Sequence, residues 1–149
     1  MTARTLQALA DALLSERHLL EELHELVRRQ RESLSRDDMA AVEDTLFGTH
    51  RVLHTMREAP RRRRSLNCLL GCPEGLSLSG MDEALGERMN DELRAARDGL
   101  NAAGQALARE VELNRAVLRA ALAATDEYTR ALHGAAAGGS CATLLDRTG

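Results

Sequence analysis

The chain has 149 residues and a net charge of −3, and 29% of its residues are charged, 44% hydrophobic and 1% aromatic. Isoleucine, lysine and tryptophan are absent, and leucine and alanine supply most of the apolar side chains, a composition typical of long helices that excludes a strand-rich fold. The weak acidic balance and the scarcity of aromatic rings favour neither nucleic-acid binding nor attraction to an acidic membrane.

The sequence also bears on where the protein is found. Asp11 and Glu16 interrupt the first twenty residues, where a signal peptide would have its apolar stretch. The longest uncharged run, Ala131–Leu145, is too short to span a bilayer. Three cysteines, an odd number, do not make a disulfide framework. We therefore expect a cytoplasmic protein without membrane insertion.

Two amphipathic helices are predicted in the first half of the chain. In the first, over about residues 5–36, leucines recur at alternating spacings of three and four. Cap-forming residues at Ser35–Asp38 separate it from a second helix over about 38–70. The apolar positions of the second helix are Met39, Val42, Leu46, Leu53, Met56, Leu66, Leu69 and Leu70. A kink or short break is expected at Pro60, because proline lacks a backbone donor and clashes with the preceding turn.

A connecting loop over residues 71–80 precedes the third predicted helix, which covers about 81–133. Ser79–Asp82 has the pattern of a capping box at its start. Its apolar stripe comprises Leu85, Met89, Leu93, Ala96, Leu100, Ala103, Leu107, Val111, Asn114, Leu118, Ala121, Thr125, Tyr128 and Leu132. Gly134 is expected to end the helix and to leave residues 135–149 as a flexible tail.

The three predicted helices differ in length. The first two have about 33 residues, or roughly 50 Å each, and the third has about 52 residues, or roughly 78 Å. In an up-down-up arrangement the stretch Asn114–His133 therefore extends beyond the turn between the first two helices, with its apolar stripe uncovered. Such a surface is typical of a partner site. Alternatively, the helices shift or the third helix bends at Gly99–Gly104, and the stripe is ordinary core.

The predicted fold class is therefore all-α: an elongated three-helix antiparallel bundle or coiled coil with a long C-terminal third helix. We expect a single helical domain over residues 1–149.

Three side-chain pairs have spacings that invite a metal-binding hypothesis. They are Glu21 with His24, His50 with His54, and Cys68 with Cys72. The first pair resembles half of a ferritin-like di-iron site, but no second pair of that kind is present. The histidine pair lacks an acidic ligand, and the cysteines, with Cys141 far along the chain, do not complete a tetrahedral zinc set. The run Arg61–Arg64 is interpreted as a solvated helix face. We expect no metal, no cofactor and no enzymatic activity.

Three segments then follow one another in an informative order. The first is the leucine-spaced hairpin with Asp37–Met39 at the helix break and Gly71 after the last leucines. The second is Leu113–Leu118, centred on an asparagine, and the third is the tail Leu144–Gly149. Together they resemble the FlgN family, the cytoplasmic chaperones of flagellar type III export. In the tail, Leu145 stands where the family has a tyrosine.

The resemblance implies a chaperone that binds the hook–filament junction proteins, the hook-associated proteins of FlgK and FlgL type. It would keep them unassembled and deliver them to the flagellar export gate. An amphipathic client helix would pair with the stripe of the third helix, and Asn114 would fix the register. The client-binding residues would be Asn114, Val117, Leu118, Ala121, Leu122, Thr125, Tyr128 and Leu132. The tail, with Leu145, Asp146 and Gly149, would contact the client or the export gate.

Two other hypotheses stay open on the sequence. A structural coiled-coil protein would self-associate through the same stripe, and a homodimer of the free protein is compatible with the chaperone as well. A ferritin-like helical bundle would bind metal. Client capture predicts a 1:1 complex, self-association predicts a concentration-dependent dimer, and a metal site predicts bound metal.

Overall fold

The computed structural model describes the backbone of residues 2–146 and the side chains of residues 2–137. This part of the chain contains four α-helices and a 3₁₀ turn. They are α1 (Thr2–Ser35), α2 (Met39–Leu69), α3 (Met81–Leu85), the 3₁₀ turn Gly86–Arg88, and α4 (Asp91–Asp146). No strand occurs within residues 2–146, so the predicted all-α class is confirmed.

The chain divides into two compact units, Met1–Glu112 (unit 1) and Leu113–Gly149 (unit 2). Unit 1 contains α1, α2, α3 and the first part of α4, and unit 2 contains the remainder of α4. The elongated three-helix antiparallel bundle and the single domain over residues 1–149 stay predictions.

Two adjacent aspartates set the turn between α1 and α2. Asp37 adopts a φ of +56°, in the left-handed region that aspartate enters more readily than most residues. The N–H of Asp38 donates to the carbonyl of Ser33 at 3.0 Å and closes α1. The Asp38 side chain then accepts a hydrogen bond from the N–H of Ala41 at 3.1 Å and caps α2. The predicted helix break with cap-forming residues is confirmed here.

Polar contacts fix the directions of the helices in unit 1. Gln7 donates to Glu92 at 2.8 Å, near the start of both α1 and α4. Arg31 donates to Glu110, much further along the same two helices. These contacts show that α1 and the first part of α4 run parallel, whereas α2 returns antiparallel after the short turn.

The core of unit 1 lies where the starts of α1 and α4 meet the segment that follows α2. Its buried residues are Leu9, Ala10, Leu13, Leu70, Cys72, Met81, Leu85, Met89, Leu93, Ala96 and Leu100. Arg88 Nη1 donates to the carbonyl of Leu70 at 2.8 Å and ties the 3₁₀ turn to the end of α2. The segment between α2 and α4 is therefore part of the core as well as a connection.

The prediction of one continuous helix over residues 81–133 is wrong at its start. α3 ends at Leu85, and the next residue, Gly86, has a φ of +54° and a ψ of −126°, a combination that is readily available only to glycine. A new helix begins at Asp91, because Asn90 acts as its cap: Asn90 Oδ1 accepts a hydrogen bond from the N–H of Leu93 at 2.8 Å. The predicted stripe nevertheless stays buried across the break.

One further local prediction is wrong, and another is wrong in part. The capping box at Ser79–Asp82 does not form: Gly80 rather than Ser79 is the N-cap residue of α3, and Ser77 Oγ accepts a hydrogen bond from its N–H at 3.2 Å. Of the kink or short break expected at Pro60, the break does not occur, since α2 continues through it from Met39 to Leu69, and the kink stays a prediction. The packing of α2 in unit 1 offsets the roughly 3 kcal/mol that an interior proline costs a helix.

The C-terminal end of α4 also differs from the prediction. The sequence predicts a helix end at Gly134 and a flexible tail over residues 135–149. α4 instead continues to Asp146. The three residues directly after Gly134 are alanines, the residue type with the highest helix propensity. Residues 147–149 lie outside the described residues.

α2 buries a narrower face than its apolar pattern suggests. Val42 and Val52 are buried, whereas Met39, Leu46 and Leu53 are exposed. At 100° per residue, the three exposed side chains lie beside the buried face rather than on it. A second apolar surface thus runs along α2.

The glycines of α4 give a stability prediction. α4 is a continuous helix through Gly99–Gly104, so these glycines do not interrupt it. A Cβ at Gly104 would meet only Leu20 Cδ1 at 3.9 Å, whereas a Cβ at Gly99 would lie 2.7 Å from Arg17 Nη1. Gly104→Ala is expected to raise the free energy of unfolding by about 0.5–1 kcal/mol. Gly99→Ala should gain less, because Arg17 must move.

The free energy of unfolding of both variants is measured by urea denaturation, with circular dichroism at 222 nm as the signal. An equal gain from the two alanines, or a loss from Gly104→Ala, would contradict the packing described here.

Candidate functional site

The predicted stripe of α4 changes from buried to exposed along the helix. In unit 1, Leu93 and Leu100 are buried, and Leu107 and Val111 are half-buried. In unit 2 the large apolar side chains of the stripe are exposed: Leu118 by 38%, Leu122 by 66%, Tyr128 by 67% and Leu132 by 53%. An apolar surface on a charged chain of this kind is typical of a binding site.

The other predicted client-binding residues are smaller or less exposed. Asn114 is buried, Val117 is half-buried, and Ala121 and Thr125 are exposed. Thr125 Oγ1 donates to the carbonyl of Ala121 at 2.9 Å. Its hydroxyl is therefore hydrogen-bonded within the helix, and its methyl group adds to the apolar surface.

All of the predicted client-binding residues fall on one side of α4. At 100° per residue they span an arc of about 140°. We call this arc the α4 stripe. The opposite side of the helix carries Ala116, Ala120, Ala123, Glu127 and Arg130, which are exposed. Within the described residues, no helix, α4 included, is both long and apolar enough to cross a membrane.

The structure says less about the predicted tail site. Leu145 and Asp146 fall in the last turn of α4, but their side chains lie outside the described residues. Gly149 lies outside them altogether.

A polar cluster centred on Glu110 joins α1 to α4 near the end of unit 1. Arg31 donates to Glu110, and His24 Nε2 lies 3.5 Å from Glu110 Oε1. The hydrogen bond from Arg31 is the main cause that holds the pKa of Glu110 below its ordinary value, and His24 adds to it. Sequence reasoning missed this cluster, because the pairing depends on the register of the two helices. The available signal was a glutamate at the edge of the stripe, three residues after Leu107.

A comparison with protein families decides the identity of the chain. A sequence model of the family described as "FlgN protein" matches residues 1–142. The chain belongs to the FlgN family. FlgN proteins are flagellar export chaperones, and a role of that general kind follows for this chain. No curated protein and no solved structure gave a match.

The FlgN match confirms the resemblance seen in the sequence. It extends through α1, α2 and α3 and through α4 as far as residue 142, so it includes the whole α4 stripe. The FlgN family is one of chaperones rather than of enzymes.

Glu21 and His24, one of the three candidate metal-binding pairs, have other partners in this FlgN-family chain. Glu21 accepts a hydrogen bond from Arg17 at 2.7 Å, whereas His24 reaches across to Glu110. The two side chains are thus engaged with different partners. Among the residues that the structure describes, no group of three or more His, Cys, Asp or Glu could hold a metal ion.

The cysteines and the arginine run have separate surroundings. Cys68 is exposed and Cys72 is buried, and the side chain of Cys141 lies outside the described residues. In the arginine run, Arg63 donates to Glu16 of α1 at 2.8 Å and is half-buried. The interpretation of this run as a solvated face is therefore wrong at Arg63, which joins two helices.

The Glu110 cluster makes stability depend on pH. Because the pKa of Glu110 is lower in the folded than in the unfolded chain, its stabilising contribution is present above the unfolded pKa. The contribution is lost as the pH falls through the folded pKa. Glu110→Gln is therefore expected to lower the melting temperature near neutral pH and to converge with the wild type in acid.

Thermal melts between about pH 7 and pH 3 measure this convergence. Glu127→Gln is the control, because Glu127 is exposed and has no ion pair among the described residues. Parallel curves for wild type and Glu110→Gln would contradict a role for this carboxylate.

Proposed function

We propose that the protein binds hook–filament junction proteins, the hook-associated proteins of FlgK and FlgL type, in the cytoplasm. It keeps these clients from assembling early and delivers them to the flagellar type III export gate. Membership of the FlgN family supports the general chaperone role. The observation that supports a client surface is the exposed apolar side of α4 in unit 2.

In this proposal an amphipathic helix of the client lies along the α4 stripe. Leu118 and Leu122 are one helical turn apart, as are Tyr128 and Leu132, so they present two pairs of anchors to a facing helix. Complete burial of one such side chain contributes about 1.5–3 kcal/mol relative to exposure. Several anchors are needed, because association and side-chain ordering oppose binding.

The polar members of the α4 stripe give the pairing its specificity. Asn114 within an otherwise apolar seam fixes the register of a client helix at some cost in affinity, which suits a chaperone that must release its client. We further propose that Leu145, Asp146 and Gly149 contact the client or the export gate.

Calorimetric titration of the full chain with a purified hook-associated protein tests the proposal. We expect a 1:1 complex and a negative heat-capacity change, because apolar surface is buried. A synthetic peptide of the client's terminal helix should compete for the same site. Absence of a complex at about 100 μM would contradict client binding.

The alternative function, a structural self-associating helical bundle, rests on the same exposed stripe. It predicts a dimer that is lost when the stripe is mutated, and no complex with hook-associated proteins. Sedimentation of a stripe variant such as Tyr128→Glu beside the titration therefore distinguishes the two functions, because only a dimer held by the α4 stripe is lost in it.

A further inference from the structure

A second exposed apolar surface lies on α2, in unit 1. Its large side chains are Met39, exposed by 57%, Leu46 by 46%, Phe47 by 79% and Leu53 by 41%. Phe47 is the only phenylalanine in the sequence, and its side chain points away from the core. Client binding at the α4 stripe makes no use of these residues.

These side chains form a patch that is centred on His50. We call it the α2 outer face, and it comprises Glu43, Leu46, Phe47, His50, Leu53, His54 and Arg57, all exposed. Its members are three, four or seven residues from His50, the spacings that place side chains on one side of a helix.

The charges at the two ends of the α2 outer face are opposite. Glu43 precedes His50 by seven residues, and Arg57 follows it by seven. Within residues 2–137 neither forms an ion pair, although neighbouring Arg61 pairs with Glu58 at 3.0 Å on the same helix. The face thus has one acidic and one basic end, both available to a partner.

This arrangement is complementary to itself under a two-fold rotation. If a second copy of α2 lies antiparallel with its His50 opposite the first, residues equidistant from His50 on opposite sides face one another. Glu43 then meets Arg57 of the second copy, twice by symmetry. On the two edges of the contact, Leu46 meets Leu53 of the second copy and Phe47 meets His54 of the second copy, each also twice.

A parallel pairing has none of this complementarity. It would place Glu43 against Glu43 and Arg57 against Arg57, and like charges in contact are unfavourable. The antiparallel contact is isologous, as in most homodimers, because the same surface of both copies takes part.

We propose that the α2 outer face is the interface of an antiparallel homodimer of the free protein. The occupant is a second copy of this chain, seated with Leu46 against Leu53 and with Glu43 against Arg57. The interface uses no residue of the α4 stripe.

Sedimentation velocity of the full chain from about 1 μM to about 100 μM tests the proposal. The wild type should sediment as a dimer at the upper concentrations. Phe47→Glu should raise the dimer dissociation constant at least 100-fold, since it places a charge within the contact. Circular dichroism melts should be unchanged, because the side chain is exposed in the monomer.

Charge exchange tests the antiparallel register. Glu43→Arg alone should weaken the dimer about tenfold or more, because two arginines then face each other. Adding Arg57→Glu should restore it, since the opposite charges return with their positions exchanged. Tyr128→Glu is the matched control: it places the same charge on an exposed aromatic of unit 2, and it should leave the dimer intact.

Three results would overturn the proposal. The first is a wild type that stays monomeric over the whole concentration range. The second is a dimer that survives Phe47→Glu but is lost in Tyr128→Glu, which would assign self-association to the α4 stripe. The third is a double charge exchange that fails to restore the dimer lost in Glu43→Arg.

Discussion

Replacing Leu118 and Leu122 together by aspartate is expected to weaken client binding at least 100-fold and to leave the thermal melt of the free protein unchanged. Both side chains are exposed in the free chain, so the aspartates remain solvated before binding. In the complex they would be placed in an apolar seam, where an unpaired charge is strongly disfavoured. At about 1.4 kcal/mol per factor of ten, a 100-fold loss is about 2.8 kcal/mol and weakens a micromolar complex to a dissociation constant of about 100 μM.

The matched control places the same two charges on the other side of α4. Ala116 and Ala120 are exposed and one helical turn apart, and the variant Ala116→Asp with Ala120→Asp should bind the client within a few-fold of the wild type. Calorimetric titration and a circular dichroism melt are measured on both double variants.

A client still bound by Leu118→Asp with Leu122→Asp would contradict the α4 stripe as the client site. A collapsed melt in that variant would instead show that the two leucines belong to a core.

Leu93→Ala is expected to have the largest effect on stability, a loss of about 3–5 kcal/mol in the free energy of unfolding. Leu93 is fully buried, as are Leu9 and Leu13 of α1 in the same core. Removing its side chain leaves a cavity that this junction of several segments cannot readily close. Against a total stability of about 5–15 kcal/mol, such a loss is severe.

Leu122→Ala is the matched control, because it removes the same atoms from an exposed position of the same helix. It should change the free energy of unfolding by less than about 0.5 kcal/mol. Urea denaturation followed at 222 nm compares the two variants. Equal losses, or a loss below about 1 kcal/mol for Leu93→Ala, would mean that the core is not where the structure places it.

The parts of the fold that depend on residues close together in the sequence could be predicted from it. The turn between α1 and α2 is an example, because Asp38 caps α2 through a hydrogen bond to a residue only three positions away. The start of α4 was equally local, since Asn90 is followed by two acidic residues at the helix start. The apolar spacing, however, runs without interruption across Gly86, and taken alone it predicts one continuous helix.

The parts that depend on how helices pack could not be predicted in the same way. Leu46 and Val42 are both apolar and four residues apart, yet Val42 is buried and Leu46 is exposed. Only the placement of α1 and α4 against α2 decides which of the two is covered. The same holds for Glu110, whose partners Arg31 and His24 lie on another helix. The α4 stripe, by contrast, follows from helix length and apolar spacing, although its client does not.

Although α4 is continuous across both units, its resistance to local unfolding is expected to differ along its length. Around Leu93 and Leu100, backbone amides should exchange with deuterium only when unit 1 unfolds as a whole. Around Leu122 and Tyr128, where the side chains are exposed, the amides should exchange through local fraying at a much lower free energy. One unbroken helix therefore has two levels of protection along its length. Because the weakly protected part is already helical in the free chain, a docking client meets a formed surface, and little backbone conformational entropy of α4 is lost on binding.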